Sequence, residues 1–127
     1  MIGKFLYSKL QGTLNTEFDC DVFPTVAAKD SQLPYAIYNQ VHANPIFAKE
    51  TMPMTNNMFR IDVYSDTYAE CQTIAKRIIE LLNFQNGFDV DSDLCVFSCT
   101  FDGQHDGYDD DDQTYRTTLD FKIIINN

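Results

Sequence analysis

The residue types that could carry chemistry crowd into one half of the chain. Asp89, Asp91 and Asp93 form the run D-V-D-S-D; Asp102, Asp106 and the block Asp109, Asp110, Asp111 and Asp112 follow, with no Lys or Arg between Arg77 and Arg116. Alternating aspartates open an EF-hand loop, which binds Ca²⁺ through carboxylate oxygens. Such a loop needs Gly at position six and Glu at position twelve. Here those positions hold Leu94 and Thr100, so the match fails where the loop geometry is most demanding. A solvated acidic edge or a partner surface is the better reading. Acid–base catalysis would require one carboxylate shifted in pKa by a dry pocket, whereas adjacent acids on a loop read as a solvated charge run.

The nucleophile and metal chemistries fare no better. His42 and His105 stand far apart, neither beside a Ser or Cys in a nucleophile motif, and G-x-S-x-G, G-x-G-x-x-G and Walker patterns are missing from the sequence. Cys20, Cys71, Cys95 and Cys99 include no C-x-x-C pair. Cys95 and Cys99 fall on one strand face about 13 Å apart by strand rise, too far for a disulfide. The thiols read as free cysteines packed in a core. No catalytic, cofactor-binding or metal-ligating residue is assigned, and the chain is not expected to be an enzyme.

The elements that position these residues can be read from periodicity. Ile2, Phe5, Leu6, Leu10 and Leu14 give a first amphipathic helix. Residues 19–24 (DCDVFP) are short and extended, because Pro24 biases Phe23 toward β geometry. After a polar connector, residues 34–42 (PYAIYNQVH) alternate as a strand. Residues 44–57 contain Pro45, Pro53, Met52 and Met54 and read as a protruding arm, either a long loop or a splayed hairpin. Residues 58–64 alternate again, with Phe59, Ile61 and Val63 inward. Thr67 and Glu70 then form a T-x-x-E capping box. It opens a second helix with Tyr68, Cys71, Ile74, Ala75, Ile78 and Leu82 on its apolar stripe, stopped by Asn86 and Gly87. A strand over 94–101 with Cys95, Phe97, Cys99 and Phe101 on one face, an acidic loop over 102–113, and a strand over 115–125 with Tyr115, Thr117, Leu119, Phe121, Ile123 and Ile125 on one face complete the chain. The expected fold is α+β: an antiparallel sheet of four strands, or slightly more, with two helices packed on one face.

Composition fits one domain spanning residues 1–127, since 127 residues lie within the common domain size. With 44% hydrophobic residues the chain can build a core, which excludes intrinsic disorder. No apolar run approaches the ~18 residues of a membrane span, and residues 1–12 (MIGKFLYSKLQG) lack the features of a signal peptide. The formal net charge of −10 excludes a groove that grips nucleic acid by its phosphates, which needs clustered Lys and Arg.

Three stretches in order resemble the tail-completion or tail-terminator proteins of long-tailed bacteriophages. They are Leu33-Pro34-Tyr35-Ala36-Ile37-Tyr38 preceded by Val22-Phe23-Pro24; the strand-into-helix passage from Phe59 to Glu70; and Tyr108-Asp109-Asp110 through Tyr115-Arg116 to Leu119-Asp120-Phe121. The resemblance covers nearly the whole chain. It implies a virion protein of the tail or neck, assembled in the bacterial host cytoplasm, that caps the tail tube, ends its polymerisation and offers a joining surface to the head connector. The implied partners are further copies of the chain in a ring, as a hexamer, the tail tube protein and a head-completion or connector protein. DNA passes through the lumen without being bound, and no membrane or cofactor is involved. Alternatives are another neck component, a head-completion or joining protein, or an unrelated acidic binding module. Met52, Pro53 and Met54 in the arm and Asp109, Asp110, Asp111 and Asp112 in the loop are the expected interface residues. Apolar residues at a loop tip ask for a partner, and a negative lumen repels a passing duplex.

Overall fold

The first helix, α1 (Ile2–Phe18), buries Phe5, Leu6, Leu10 and Leu14 along one stripe. It ends where Asp19 turns left-handed (φ 55°), its N–H donating to the Asn15 carbonyl at 3.0 Å. These coordinates are those of a computed structural model, which describes residues 2–28, 31–46, 54–89 and 94–126. The remaining elements are β1 (Asp21–Pro24), β2 (Tyr35–Ile46), β3 (Met54–Ser65), α2 (Tyr68–Leu82), β4 (Gln85–Asp89), β5 (Leu94–Asp109) and β6 (Thr114–Asn126).

The strands form one curled sheet in the order β1-β2-β3-β6-β5-β4. All neighbours are antiparallel except β1 and β2, which run parallel in the register Val22↔Ala36. The α+β class holds. The expected four-stranded antiparallel sheet does not: the sheet has six strands and is mixed. The extended DCDVFP segment becomes an edge strand, and the ten-residue connection that follows lets the chain re-enter beside it in the same direction. The second missed strand, β4, is built from Gln85, Asn86 and Gly87, residues of low β propensity, and is held by pairing with β5.

One sheet face carries the core. Phe59, Ile61 and Val63 on β3 lie in register with Phe121, Leu119 and Thr117 on β6, and all six are buried. Helix α2 packs over the sheet centre against β3, β6 and β5 through Cys71, Ile74, Ala75, Ile78 and Leu82, while α1 touches α2 and both edge strands, β1 and β4. Gly87 faces α1: a Cβ there would stand at ordinary contact distance, 3.4 Å, from the Phe5 ring.

Several boundaries differ from expectation for local reasons. Helix α2 stops at Asn83, not at Asn86–Gly87; Phe84 takes φ 64° and its N–H donates to the Cys99 carbonyl at 2.7 Å. Tyr68 leaves the apolar stripe and is 52% exposed, its ring edge-on to Tyr115. A bulge between Val96 and Ser98 breaks the alternation of β5, so Cys99 and Val96 are buried while Phe97 is 40% exposed. In the expected arm, residues 44–46 and 54–57 are ordinary strand paired across β2, β3 and β6, and residues 47–53 lie outside the described residues.

The capping box closes through a relay. Thr67 Oγ1 accepts from the Glu70 N–H at 3.3 Å, but the Glu70 carboxylate accepts from the Ser65 hydroxyl at 2.5 Å, and Ser65 Oγ in turn accepts from the Thr67 N–H at 3.2 Å. Thr67→Ala is expected to cost about 1 kcal/mol in urea unfolding, the usual worth of an N-cap hydroxyl, and Thr67→Ser to restore it.

Candidate interaction surface

The acidic turn sits where β5 meets β6. The expected loop over 102–113 is far shorter: Asp102 to Asp109 belong to β5, and the reversal is made by residues 110–113. Gly103, Gln104, His105 and Asp106 do not favour strands. They are carried by pairing with Asp120, Leu119, Thr118 and Thr117 after a bulge between Phe101 and Gly103. Asp109 Oδ1 accepts from the Asp111 N–H at 3.0 Å, and the Thr114 hydroxyl donates to the Asp112 carbonyl at 3.0 Å. Gln113 supplies the left-handed residue of the reversal (φ 52°). The turn is therefore built by its own side chains, with Asp110, Asp111 and Asp112 left exposed around it.

Below the turn, on the sheet face away from the helices, one register row crosses four strands: Tyr35 on β2, Tyr64 on β3, Arg116 on β6 and Gly107 on β5. Tyr35 and Tyr64 stack at 5.2 Å between centroids, and Phe23 on β1 meets Tyr35 edge-on at 6.3 Å. The Arg116 guanidinium lies over Gly107, where a Cβ would come within 2.7 Å of Nη2. Tyr64, Tyr108, Arg116 and Asp109 to Asp111 line an open hollow of about 460 Å³. Burial pushes the Tyr64 hydroxyl above its ordinary range, with Asp62 adding to the effect and a hydrogen bond from Arg116 opposing it. On the helix side of the same end, Tyr108 packs on Tyr115 at 4.7 Å, and Tyr115 meets Tyr68 at 6.1 Å. The end of the sheet thus presents half-exposed tyrosines rimmed by carboxylates, a combination suited to a cationic protein surface.

Asp106, read as part of the acidic run, is structural. Its carboxylate accepts from Gln72 Nε2 (2.9 Å), Thr117 Oγ1 (3.1 Å) and the Tyr68 hydroxyl (3.4 Å), tying α2 to β5 and β6. His42 Nδ1 lies 3.2 Å from Asn44 Nδ2, and His105 stands in register with Thr118 on the face away from the helices. Among the described residues no group of three or more His, Cys, Asp or Glu is arranged to hold a metal ion. No helix among them is long and apolar enough to cross a membrane.

The expected interface residues do not converge. Asp109 pairs with Thr114 at the β5–β6 reversal, whereas Met54 begins β3, half-buried, opposite Ile46 and Asn126. Met54 and Ser65, at the two ends of β3, are about 36 Å apart by strand rise, and Ser65 is the residue in register with Tyr115 beside the turn. Met52 and Pro53 lie outside the described residues. The row from Tyr35 to Gly107 was not legible beforehand: its members lie between positions 35 and 116 of the sequence, and only the strand registers align them.

Comparison with known proteins adds the biological frame. Residues 10–126 match the family model described as Tail completion protein gp17. No curated protein sequence matches the chain. Among solved structures, a chain described as belonging to the virion of a native gene transfer agent particle superposes with a TM-score of 0.73. The superposition covers 96% of this chain and 92% of that chain, at 15% sequence identity, and establishes a shared fold.

Proposed function

The chain belongs to the tail completion protein gp17 family, and from that premise we propose that it caps a phage tail tube, ends its polymerisation and supplies the joining surface for the head connector. The family match over residues 10–126 is the observation that carries this reading. A likeness of fold to a chain of a virion particle is consistent with it. The role is structural and asks for no catalysis. It requires a ring of copies, taken here as a hexamer, with one face for the tube protein and another for the connector. A sheet whose two ends lie about 36 Å apart suits that arrangement. The turn Asp109–Asp112 serves the lumen or the tube-docking face, and Met52, Pro53 and Met54 serve a contact between copies.

Electron microscopy of lysates from a parent phage with this gene disrupted tests the proposal. Overlong, unattached tails beside DNA-filled heads are expected. Normal-length separate tails would assign the chain to joining alone, and ordinary infectious particles would overturn both readings. Replacing Asp109, Asp110, Asp111 and Asp112 together with Asn isolates the acidic turn. Because Asn keeps the turn-forming side-chain acceptor at Asp109, the fold should persist while infectious titre falls at least tenfold. An unchanged titre with normal ejection of DNA would remove the turn from the mechanism.

A further inference from the structure

Two apolar features lie at opposite edges of the sheet order, one a knob and the other a groove. The knob is Phe84, the most exposed large hydrophobic residue among those described, at 79%. It is not a loose side chain. Asn83 N–H donates to the Ile79 carbonyl at 2.9 Å, Phe84 N–H to the Cys99 carbonyl at 2.7 Å, and Asn83 Oδ1 accepts from the Phe101 N–H at 3.0 Å. The backbone is thereby fixed with φ 64°, a conformation that glycine adopts freely and a phenylalanine does not. An aromatic ring held in water on a strained, pinned backbone has no role in this fold's own core. Phe97, 40% exposed on the adjoining strand, extends the apolar edge.

The groove lies between α1 and the β1–β2 edge. Gly3, Lys4, Tyr7, Ser8, Pro24 and Tyr38 line it around about 480 Å³, with Tyr7 45% exposed along its wall. Charge matches across the two features. Lys4 is exposed on the groove's wall, whereas the exposed Asp102 follows Phe101, whose N–H is bonded to Asn83 beside the knob; Glu80, one turn before Phe84, is paired with Arg77 at 3.2 Å. Knob and groove are different surfaces on different edges, so each copy can give one and receive the other. That is a heterologous contact, the kind that closes into a ring.

We propose that Phe84 of one copy seats in the Tyr7–Pro24–Tyr38 groove of the next, with Asp102 beside the knob facing Lys4 on the groove's wall; the proposal rests on the ring reading above and names its contact. A buried aromatic in a pocket is the usual anchor of an interface, and the surrounding charges set its register.

The full chain tests this in two ways. In a Cys95→Ala background, Asn86→Cys and Ser8→Cys proteins, which keep Phe84 and Tyr7 and place an exposed thiol beside the knob and on the groove's wall, are each treated with a short bismaleimide, alone and as an equal mixture. The mixture should give a covalent dimer and neither protein alone should. A mixture without dimer, or equal dimer from one variant alone, overturns the contact. Phe84→Gly gives the second test. Its melting temperature should equal or exceed that of the wild type, because glycine relieves the left-handed backbone, while self-association measured by sedimentation weakens by about tenfold or more. If wild type associates and Phe84→Gly associates equally, this contact fails and the ring reading stands. If wild type remains monomeric at several hundred micromolar, both fail together.

Discussion

Phe121→Ala should remove about 3–5 kcal/mol of folding stability, the loss measured when a buried aromatic is truncated and its cavity only partly collapses. Phe121 is fully buried on β6, the strand with a long partner on each side. It lies in register with Phe59 on β3 and Phe101 on β5, and its ring centroid is 5.7 Å from that of Phe101. Truncation therefore opens a void where three strands and the α2 layer meet, with no side chain free to swing in. Against a total of roughly 5–15 kcal/mol for a domain of this kind, the variant should be marginal at 25 °C. Its urea midpoint should fall by roughly 2 M at a slope near 2 kcal/mol/M. Lys122→Ala, one residue along and exposed, should stay within about 0.5 kcal/mol of wild type. A loss below about 1 kcal/mol for Phe121→Ala would mean that the core does not centre on β6.

The contrast between those neighbours marks what can be read from sequence here. Strict alternation in Phe59-Ile61-Val63 and Leu119-Phe121-Ile123 named the inward face correctly, because both strands are paired on either side and pack a single helix layer. The stripes of α1 and α2 were legible for the same reason. Prediction failed at edges and irregularities. β1 and β4 have too few residues, and β4 too little β propensity, to announce themselves; each exists because a longer strand offers it hydrogen bonds. The bulge between Val96 and Ser98 moved Phe97 off the face assigned to it, and single-strand periodicity carries no sign of such an insertion. Asp106 shows the same limit for chemistry. Its composition context said solvated charge, and its contacts with Gln72 and Thr117 say structural clamp. The candidate surface was half visible: the acidic turn stands out in any reading of charge, while the tyrosine–arginine row under it exists only once the registers are known.

Alkaline pH should unfold this protein far more readily than its acidic composition suggests, and buried thiols are the reason. Cys20 and Cys99 are fully buried, and burial pushes both from 9.0 up to about 12; Asp21 and then Glu70 add to the effect at Cys20. Cys71 is also raised, chiefly by burial, although hydrogen bonds to its sulfur oppose the shift. The sign follows from linkage. Below pH 9 these thiols are neutral in both states, so their burial costs nothing in protons. Above pH 9 the unfolded chain releases protons that the folded chain retains, so stability falls with rising pH until about pH 12. Each of the two strongly shifted thiols contributes a slope of roughly 1.4 kcal/mol per pH unit across that window. Together they can remove several kcal/mol by pH 11, a large share of a domain's stability. Tyr38 and Tyr64, raised mainly by burial, steepen the fall at its upper end. Urea midpoints measured from pH 8 to 11 should therefore be flat at first and then drop sharply. Cys99→Ala should begin lower, because it leaves a small cavity, yet show a shallower drop, since one proton-releasing group has been removed. Parallel curves for wild type and Cys99→Ala would mean that the thiol ionises freely in the folded state, and the buried position of Cys99 on β5, between β4 and β6, would have to be abandoned.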